Sequence, residues 1–230
     1  SSRRYRLAMV ASFATACFYA VYFYAPQLIS DPTSMRPLLG IVCFVWLAIA
    51  FFVLSYPTLS VLWRSIVVRS LIGFFILGGG WLSLIFLVGL EFGWLLTILF
   101  ILTVAMADVG AYFAGQFWGT HPLAPDVSPA KTMEGLWGGI FAVLCLAGFV
   151  WWLLPPEFAH IHPVEVLLIG LFCSGASVLG DLTVSMLKRE SGCKDAGSWL
   201  PGHGGLMDRL DSICGAAPFF ALALILVGYV

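Results

Sequence analysis

Four aspartates occupy positions where apolar sequence would ordinarily exclude them: Asp108, Asp181, Asp208 and Asp211. An ionised Asp inside a spanning helix costs ~2.5–3.5 kcal/mol on insertion scales, so it usually has a partner or a function. Asp108 lies seven residues before Gly115, where an apolar stretch gives way to a polar loop. Asp181 lies seven residues before Lys188, at the end of another. At ~1.5 Å rise per residue, both sit ~10 Å inside the same boundary. Asp208 and Asp211 open the last apolar stretch, spaced i, i+3 on one helical face. Clustered carboxylates attract hard cations, and Mg²⁺ favours one or two carboxylates, several waters and substrate phosphate oxygens. Lys131, Lys188, Arg189 and Lys194 in the adjoining loops supply positive charge. A cation below and basic side chains above describe a phosphate or polyphosphate site. The bland alternative is a set of hydrogen bonds between helices, or salt bridges to Lys188, Arg189 and Arg209.

The loops agree with the sharper reading. His203-Gly204-Gly205 leads into Asp208, and glycines at a helix amino terminus let backbone N–H groups approach an anion. Ser128-Pro129-Ala130-Lys131-Thr132 reads either as a hydroxyl-plus-lysine phosphate grip or as a cap and turn. Gly135, Gly138 and Gly139 read as close helix packing. His160 and His162, two apart in a Pro-rich connection, read as a solvated turn rather than a metal site. The six cysteines show no CxxC or Cys/His ligand spacing, so they read as apolar filler thiols.

The elements that must position these residues follow from composition. Of 230 residues, 61% are hydrophobic and 10% charged, against ~25% charged in a soluble domain. A soluble core grows too slowly with chain length to hide that much apolar surface. The chain therefore reads as an integral membrane protein, and its lack of a large basic face excludes a nucleic-acid binder. Seven stretches approach the ~20 residues a spanning helix needs: roughly 6–26, 37–56, 70–90, 93–114, 136–154, 164–187 and 208–230. The fold class is thus an all-α polytopic bundle. Gly78-Gly79-Gly80 marks close packing or a kink in the third stretch. Leu59, Leu62, Trp63 and Ile66 predict one face of an interfacial helix between Pro57 and Arg69. Loops 115–135 and 188–207 are long and polar. Counting loops alternately puts Arg3, Arg4, Arg6, Arg64, Arg69, Lys131, Lys188, Arg189, Lys194 and Arg209 on one side and Arg36 alone on the other. That bias makes the first side cytoplasmic, together with both long loops. A first residue that is not Met predicts an amino-terminally trimmed piece.

The run from Ser185 to Asp211, SMLKRESGCKDAGSWLPGHGGLMDRLD, resembles the signature of the phosphatidate cytidylyltransferase (CDP-diacylglycerol synthase) family. In that signature S-x-apolar-K-R, K-D, L-P-x-H-G-G and D-R-x-D follow one another. Asp108 to Gly115 (DVGAYFAG), Ser128 to Gly135 (SPAKTMEG) and Leu179 to Leu182 (LGDL) also resemble the family. The likeness covers roughly 100–230, which divides the chain into generic membrane helices over 1–100 and a catalytic membrane region over 101–230. Gln116 departs from the pattern, since the family often has a basic residue there. Family members also usually carry apolar sequence ahead of the point corresponding to Ser1.

The resemblance implies transfer of CMP from CTP to phosphatidate, releasing pyrophosphate and forming CDP-diacylglycerol for phospholipid biosynthesis. It implies Asp181, Asp208, Asp211, Lys188 and Arg189 as catalytic residues. Asp181 and Asp208 are the expected Mg²⁺ ligands, with Asp108 and Asp211 as additional or supporting ones and room for a second, monovalent cation. Ser128, Lys131, Thr132, Lys194, Asp195, His203, Gly204, Gly205 and Arg209 are the expected substrate-binding residues. The expected setting is a bacterial cytoplasmic membrane, with CTP, phosphatidate and the bilayer as partners, no nucleic acid, and a homodimer as assembly. Rival readings are a CTP-dependent enzyme for another lipid phosphate, a polyprenol kinase-like relative, a silent family member acting in assembly, and a carboxylate-based cation transporter. A transporter would place its charges near the midplane rather than beneath one surface.

Overall fold

The computed structural model describes residues 3–60, 65–154, 161–193, 197 and 205–229. Among them are seven α-helices: α1 (Arg3–Ser30), α2 (Arg36–Leu54), α3 (Ile66–Gly89), α4 (Gly93–Trp118), α5 (Met133–Leu153), α6 (Pro163–Glu190) and α7 (Met207–Leu226). A 3₁₀ turn, Pro32–Met35, precedes α2, and two short strands, β1 (Pro122–Ala124) and β2 (Ser128–Thr132), lie between α4 and α5. Among the described residues six helices are long and apolar enough to cross a membrane, α2 to α7, the first of these counted from Pro32. The apolar part of α1, Leu7–Tyr19, is shorter. The fold is the all-α polytopic bundle expected from the seven apolar stretches.

Local sequence explains where the helices begin. Asp31 caps the 3₁₀ turn, accepting the Thr33 N–H at 3.0 Å. Ser65 caps α3 and accepts from the Val67 N–H. His162 and Glu165 form a reciprocal capping box at α6, with the His162 N–H donating to Glu165 at 2.8 Å. This satisfies helix-end donors that otherwise have no partner. His162 therefore serves as a cap, while His160 lies outside the described residues. The Ser65 cap also corrects one expectation. Ile66 and Arg69 belong to α3, and residues 55–59 form turns, so Pro57–Arg69 is not one interfacial helix. Leu62, Trp63 and Arg64 lie outside the described residues.

α7 is the central helix. Its buried positions include Cys214, Gly215, Ala216, Ala217 and Pro218 in succession, which no single buried face could produce. Small residues let its neighbours approach. A side chain at Gly80 of α3 would come within 2.9 Å of the Cys214 Cα, and one at Gly79 within 2.8 Å of Val42 on α2. The triple glycine thus serves close packing. Gly139 lets α5 approach α4, since a Cβ there would lie 2.6 Å from the Ala107 carbonyl. Buried hydroxyls bond within their own helices, as Ser83 does to the Gly79 carbonyl and Thr183 to the Leu179 carbonyl, both at 2.7 Å. That arrangement suits helices with no water beside them. Phe44, Leu47, Phe51, Phe141 and Trp152 are exposed, as side chains facing lipid should be.

Two apolar clusters fill the interior. One joins Leu39, Phe86, Leu96, Phe100, Cys173 and Phe220. The other joins Trp46, Ile76, Leu182, Met186 and Cys214, and it reaches out to Val127 at the tip of the hairpin. That hairpin is antiparallel, pairing Pro122 with Thr132 and Ala124 with Ser128. The polarity of 115–135 predicts a loop throughout. Instead α4 continues to Trp118, and the hairpin occupies most of the remaining residues.

Candidate active site

The four aspartates come together. Asp108 from α4, Asp181 from α6, and Asp208 and Asp211 from α7 line one cavity of about 310 Å³, which Arg209 and Ser212 also border. The crossing of α6 and α7 is the cause. A side chain at Gly180 would collide with the Asp211 carbonyl, and one at Gly215 would lie 2.6 Å from the Ala176 carbonyl. With nothing but backbone between the helices, Asp181, next to Gly180, and Asp211 are held on opposite walls of one narrow space. On the α4 side Ile101, Val104 and Ala105 add apolar wall beside Asp108.

Two lysines reach these carboxylates. Lys131 Nζ, at the end of β2, lies 2.6 Å from Asp181 Oδ2. Lys188 Nζ, in the last turn of α6, lies 2.7 Å from Asp208 Oδ1. The other Asp208 oxygen accepts the Gly205 N–H at 3.0 Å, so this carboxylate ties the glycine turn to the start of α7. Asp181 Oδ1 accepts the Ser185 hydroxyl at 3.2 Å, one helical turn away. Asp211 is buried, and its Oδ1 accepts the Ser212 N–H at 2.8 Å.

Other residues expected at the site have structural partners. Thr132 caps α5, accepting the Gly135 N–H at 3.1 Å. Arg189 donates its Nε to the Val127 carbonyl at 3.2 Å, joining the end of α6 to the hairpin. Ser128 begins β2, opposite Ala124. Burial and the neighbouring Glu190 carboxylate push the Tyr56 phenol above its ordinary range. Lys194, Asp195, His203 and Gly204 lie outside the described residues.

Sequence reading missed Glu134. Its two oxygens meet the Thr120 hydroxyl at 2.7 Å, the His121 ring at 2.6 Å, and the Thr120 and His121 backbone N–H groups at 3.2 and 3.3 Å. An acidic residue in the first turn of a helix suits the free donors there, but only the tertiary structure brings Thr120 and His121 to it. Ser185 was legible, since it stands at i+4 from Asp181.

The donor set fits Mg²⁺. Every anionic ligand in the cavity is a hard carboxylate oxygen. Among the described residues no three His, Cys, Asp or Glu side chains form a group that could hold a metal by themselves. The fit is therefore to an ion that takes one or two carboxylates here and completes its shell from water and substrate phosphate.

Comparison with known proteins places the chain in a family. A family model described as Cytidylyltransferase family matches residues 1–227. A protein of Haemophilus influenzae named phosphatidate cytidylyltransferase is 46% identical over 138 residues, covering 55% of this chain and 44% of that protein. One of the same name from Pseudomonas aeruginosa is 37% identical over 188 residues, covering 80% and 67%. Another, from Bacillus subtilis, is 39% identical over 182 residues, covering 76% and 66%. The chain thus spans between about half and two thirds of the length of these relatives. With the family match running almost from end to end and through every aspartate of the cavity, the chain belongs to the cytidylyltransferase family.

Proposed function

We propose that this chain carries the active site of a phosphatidate cytidylyltransferase, which transfers CMP from CTP to phosphatidate to give CDP-diacylglycerol and pyrophosphate. The observation that carries the reading is the convergence of four aspartates from three helices on one cavity, with Lys131 and Lys188 in contact with two of them. Family membership and the name shared by the relatives support the same reaction. The cavity lies within spanning helices, so a lipid phosphate could enter it while its acyl chains stay in hydrocarbon. CTP would arrive from the polar loops on the same side.

In the reaction an oxygen of the lipid phosphate monoester attacks the α-phosphorus of CTP. The bond from that phosphorus to the bridging oxygen breaks, and pyrophosphate leaves with the electron pair. A phosphate monoester is mostly ionised at neutral pH, with a second pKa near ~6, so no strong general base is needed. Positioning and charge neutralisation carry the catalysis. Asp181 and Asp208 would hold Mg²⁺, which when bound supplies positive charge to the phosphate oxygens, and Asp108 and Asp211 would support them from the same cavity. Lys131 and Lys188 would neutralise the triphosphate and the lipid phosphate, and Arg209 stands beside them in the cavity wall. His203 and Gly204 would offer donors to a phosphate, with Gly205 fixing the turn through its N–H bond to Asp208. Lys194 and Asp195 complete the proposed substrate-binding set. Arg189 holds the hairpin through Val127, and Ser128 and Thr132 hold the strand that presents Lys131. A homodimer in a bacterial inner membrane, with the cavity facing the cytoplasm, belongs to the same proposal.

The test uses purified protein, phosphatidate and CTP labelled at the α- or the γ-phosphate, with and without Mg²⁺. Label from the α position should enter lipid, with Mg²⁺ required, and ATP should substitute poorly. Transfer of the γ-phosphate alone, or equal use of ATP, would overturn the assignment.

A further inference from the structure

The hairpin that delivers Lys131 is anchored at both ends. At its tip Val127 is buried in the cluster containing Leu182 and Met186, and its carbonyl accepts from Arg189. At its base the Glu134 carboxylate gathers the side chains and backbone N–H groups of Thr120 and His121. The His121 carbonyl accepts the Met133 N–H at 2.8 Å, and Pro122 pairs with Thr132. An isolated two-stranded hairpin is marginally stable at best, so its anchors must set its geometry. Lys131 sits one residue from the base pair and three from Glu134, and its ammonium must find Asp181 on another helix.

We propose that Glu134 is a positioning residue: by closing the base of the hairpin onto the end of α4, it holds Lys131 against Asp181. Glu134 touches neither the carboxylate cavity nor Lys131, and it acts through the ribbon between them. The functional consequence rests on the proposed role of Lys131 in phosphate binding, but the geometric one does not.

The two are separable by experiment. In the first arm, Lys131→Cys and Asp181→Cys are combined and joined with a bifunctional thiol reagent spanning a lysine–aspartate pair, the product being identified by peptide mass. Adding Glu134→Gln should slow this crosslinking at least about threefold, because the base donors lose one of their two acceptor oxygens. In the second arm, Glu134→Gln should lower kcat for cytidylyl transfer about tenfold with KM for CTP within about twofold, as loss of orientation does. The variant Lys131→Ala/Glu134→Gln should be no slower than Lys131→Ala, because residues acting through one another are not additive. Should Glu134→Gln fail to fold, Thr120→Ala removes one donor from the exposed loop and should move both readouts the same way by less. An unchanged crosslinking rate, or losses that multiply in the double variant, would overturn the proposal. If the unmodified protein makes no CTP-dependent lipid product, the functional reading fails and crosslinking alone decides the role of Glu134.

Discussion

At the scale of single residues, the carboxylates divide by what already holds them. Both Asp208 oxygens are engaged, by Lys188 and by the Gly205 N–H. Asp181 meets Lys131 and Ser185. These bonds keep two anions stable beneath a membrane surface and aim them into the cavity. Asp208→Asn keeps size and most hydrogen bonding while removing the charge needed to hold a cation. It should lower kcat about 100-fold, as loss of one preorganised electrostatic group does, or raise the Mg²⁺ requirement steeply. Asp181→Asn should behave alike, and Glu91→Gln, in the short connection before α4, should be silent. Full activity of both Asn variants at ordinary Mg²⁺ would return these residues to a structural role. Lys188→Ala should lower turnover strongly with near-normal expression, because a lysine at a helix end contributes little packing. Activity within about twofold of the parent, ~0.4 kcal/mol in the barrier, would remove Lys188 from the catalytic set.

At the scale of elements, the α6–α7 crossing is the piece on which the site depends. Gly180→Ala would drive a methyl group into the Asp211 carbonyl. Overpacking of this kind costs ~1–3 kcal/mol, and separating the helices should also reduce activity at least about tenfold, since small misplacements are costly in rate. Gly175→Ala is the matched control on the same helix. Nothing lies within 4 Å of its Cβ position, so it should leave activity intact and add up to ~1 kcal/mol through helix propensity. Thermal unfolding and turnover measured on the pair decide the point, and equal behaviour would refute it. Gly192 has φ of 68° where α6 ends, with its N–H donating to Arg189 and that of Cys193 to Lys188. Gly192→Ala should cost about 1 kcal/mol because a Cβ is disfavoured in that region.

At the scale of the whole molecule, contacts fix which helix ends share a face. Arg69, at the start of α3, donates to the Glu190 carbonyl and the Ser191 hydroxyl at the end of α6. At the opposite end the Tyr229 hydroxyl donates to the Glu91 carbonyl between α3 and α4. The basic residues Arg69, Lys131, Lys188 and Arg209 therefore gather at the carboxylate end, as the alternating loop count requires. The positive-inside rule then predicts that this end faces the cytoplasm. Cys193 is exposed just beyond α6. With the other five cysteines replaced, an impermeant thiol reagent should reach it only from the cytoplasmic side, with Glu190→Cys as a second reporter. Labelling of both from outside would reverse the orientation.

Composition and spacing alone determined the membrane class, the apolar stretches that became the helices, and the common depth of Asp108, Asp181, Asp208 and Asp211. These are one-dimensional properties. Hydrophobic length reads as a span, and rise per residue converts position into depth. Glycine spacing likewise announced close packing, though not against which partner. Tertiary structure alone decided that Lys131 meets Asp181 while Lys188 meets Asp208, and that Arg189 turns to the hairpin. It also decided that 122–132 is a hairpin at all, because strands this short form only where neighbours hold them, here Val127 in the core and Glu134 at the base. Pairing between distant residues depends on helix rotation and crossing, and those are set by packing that no local pattern encodes.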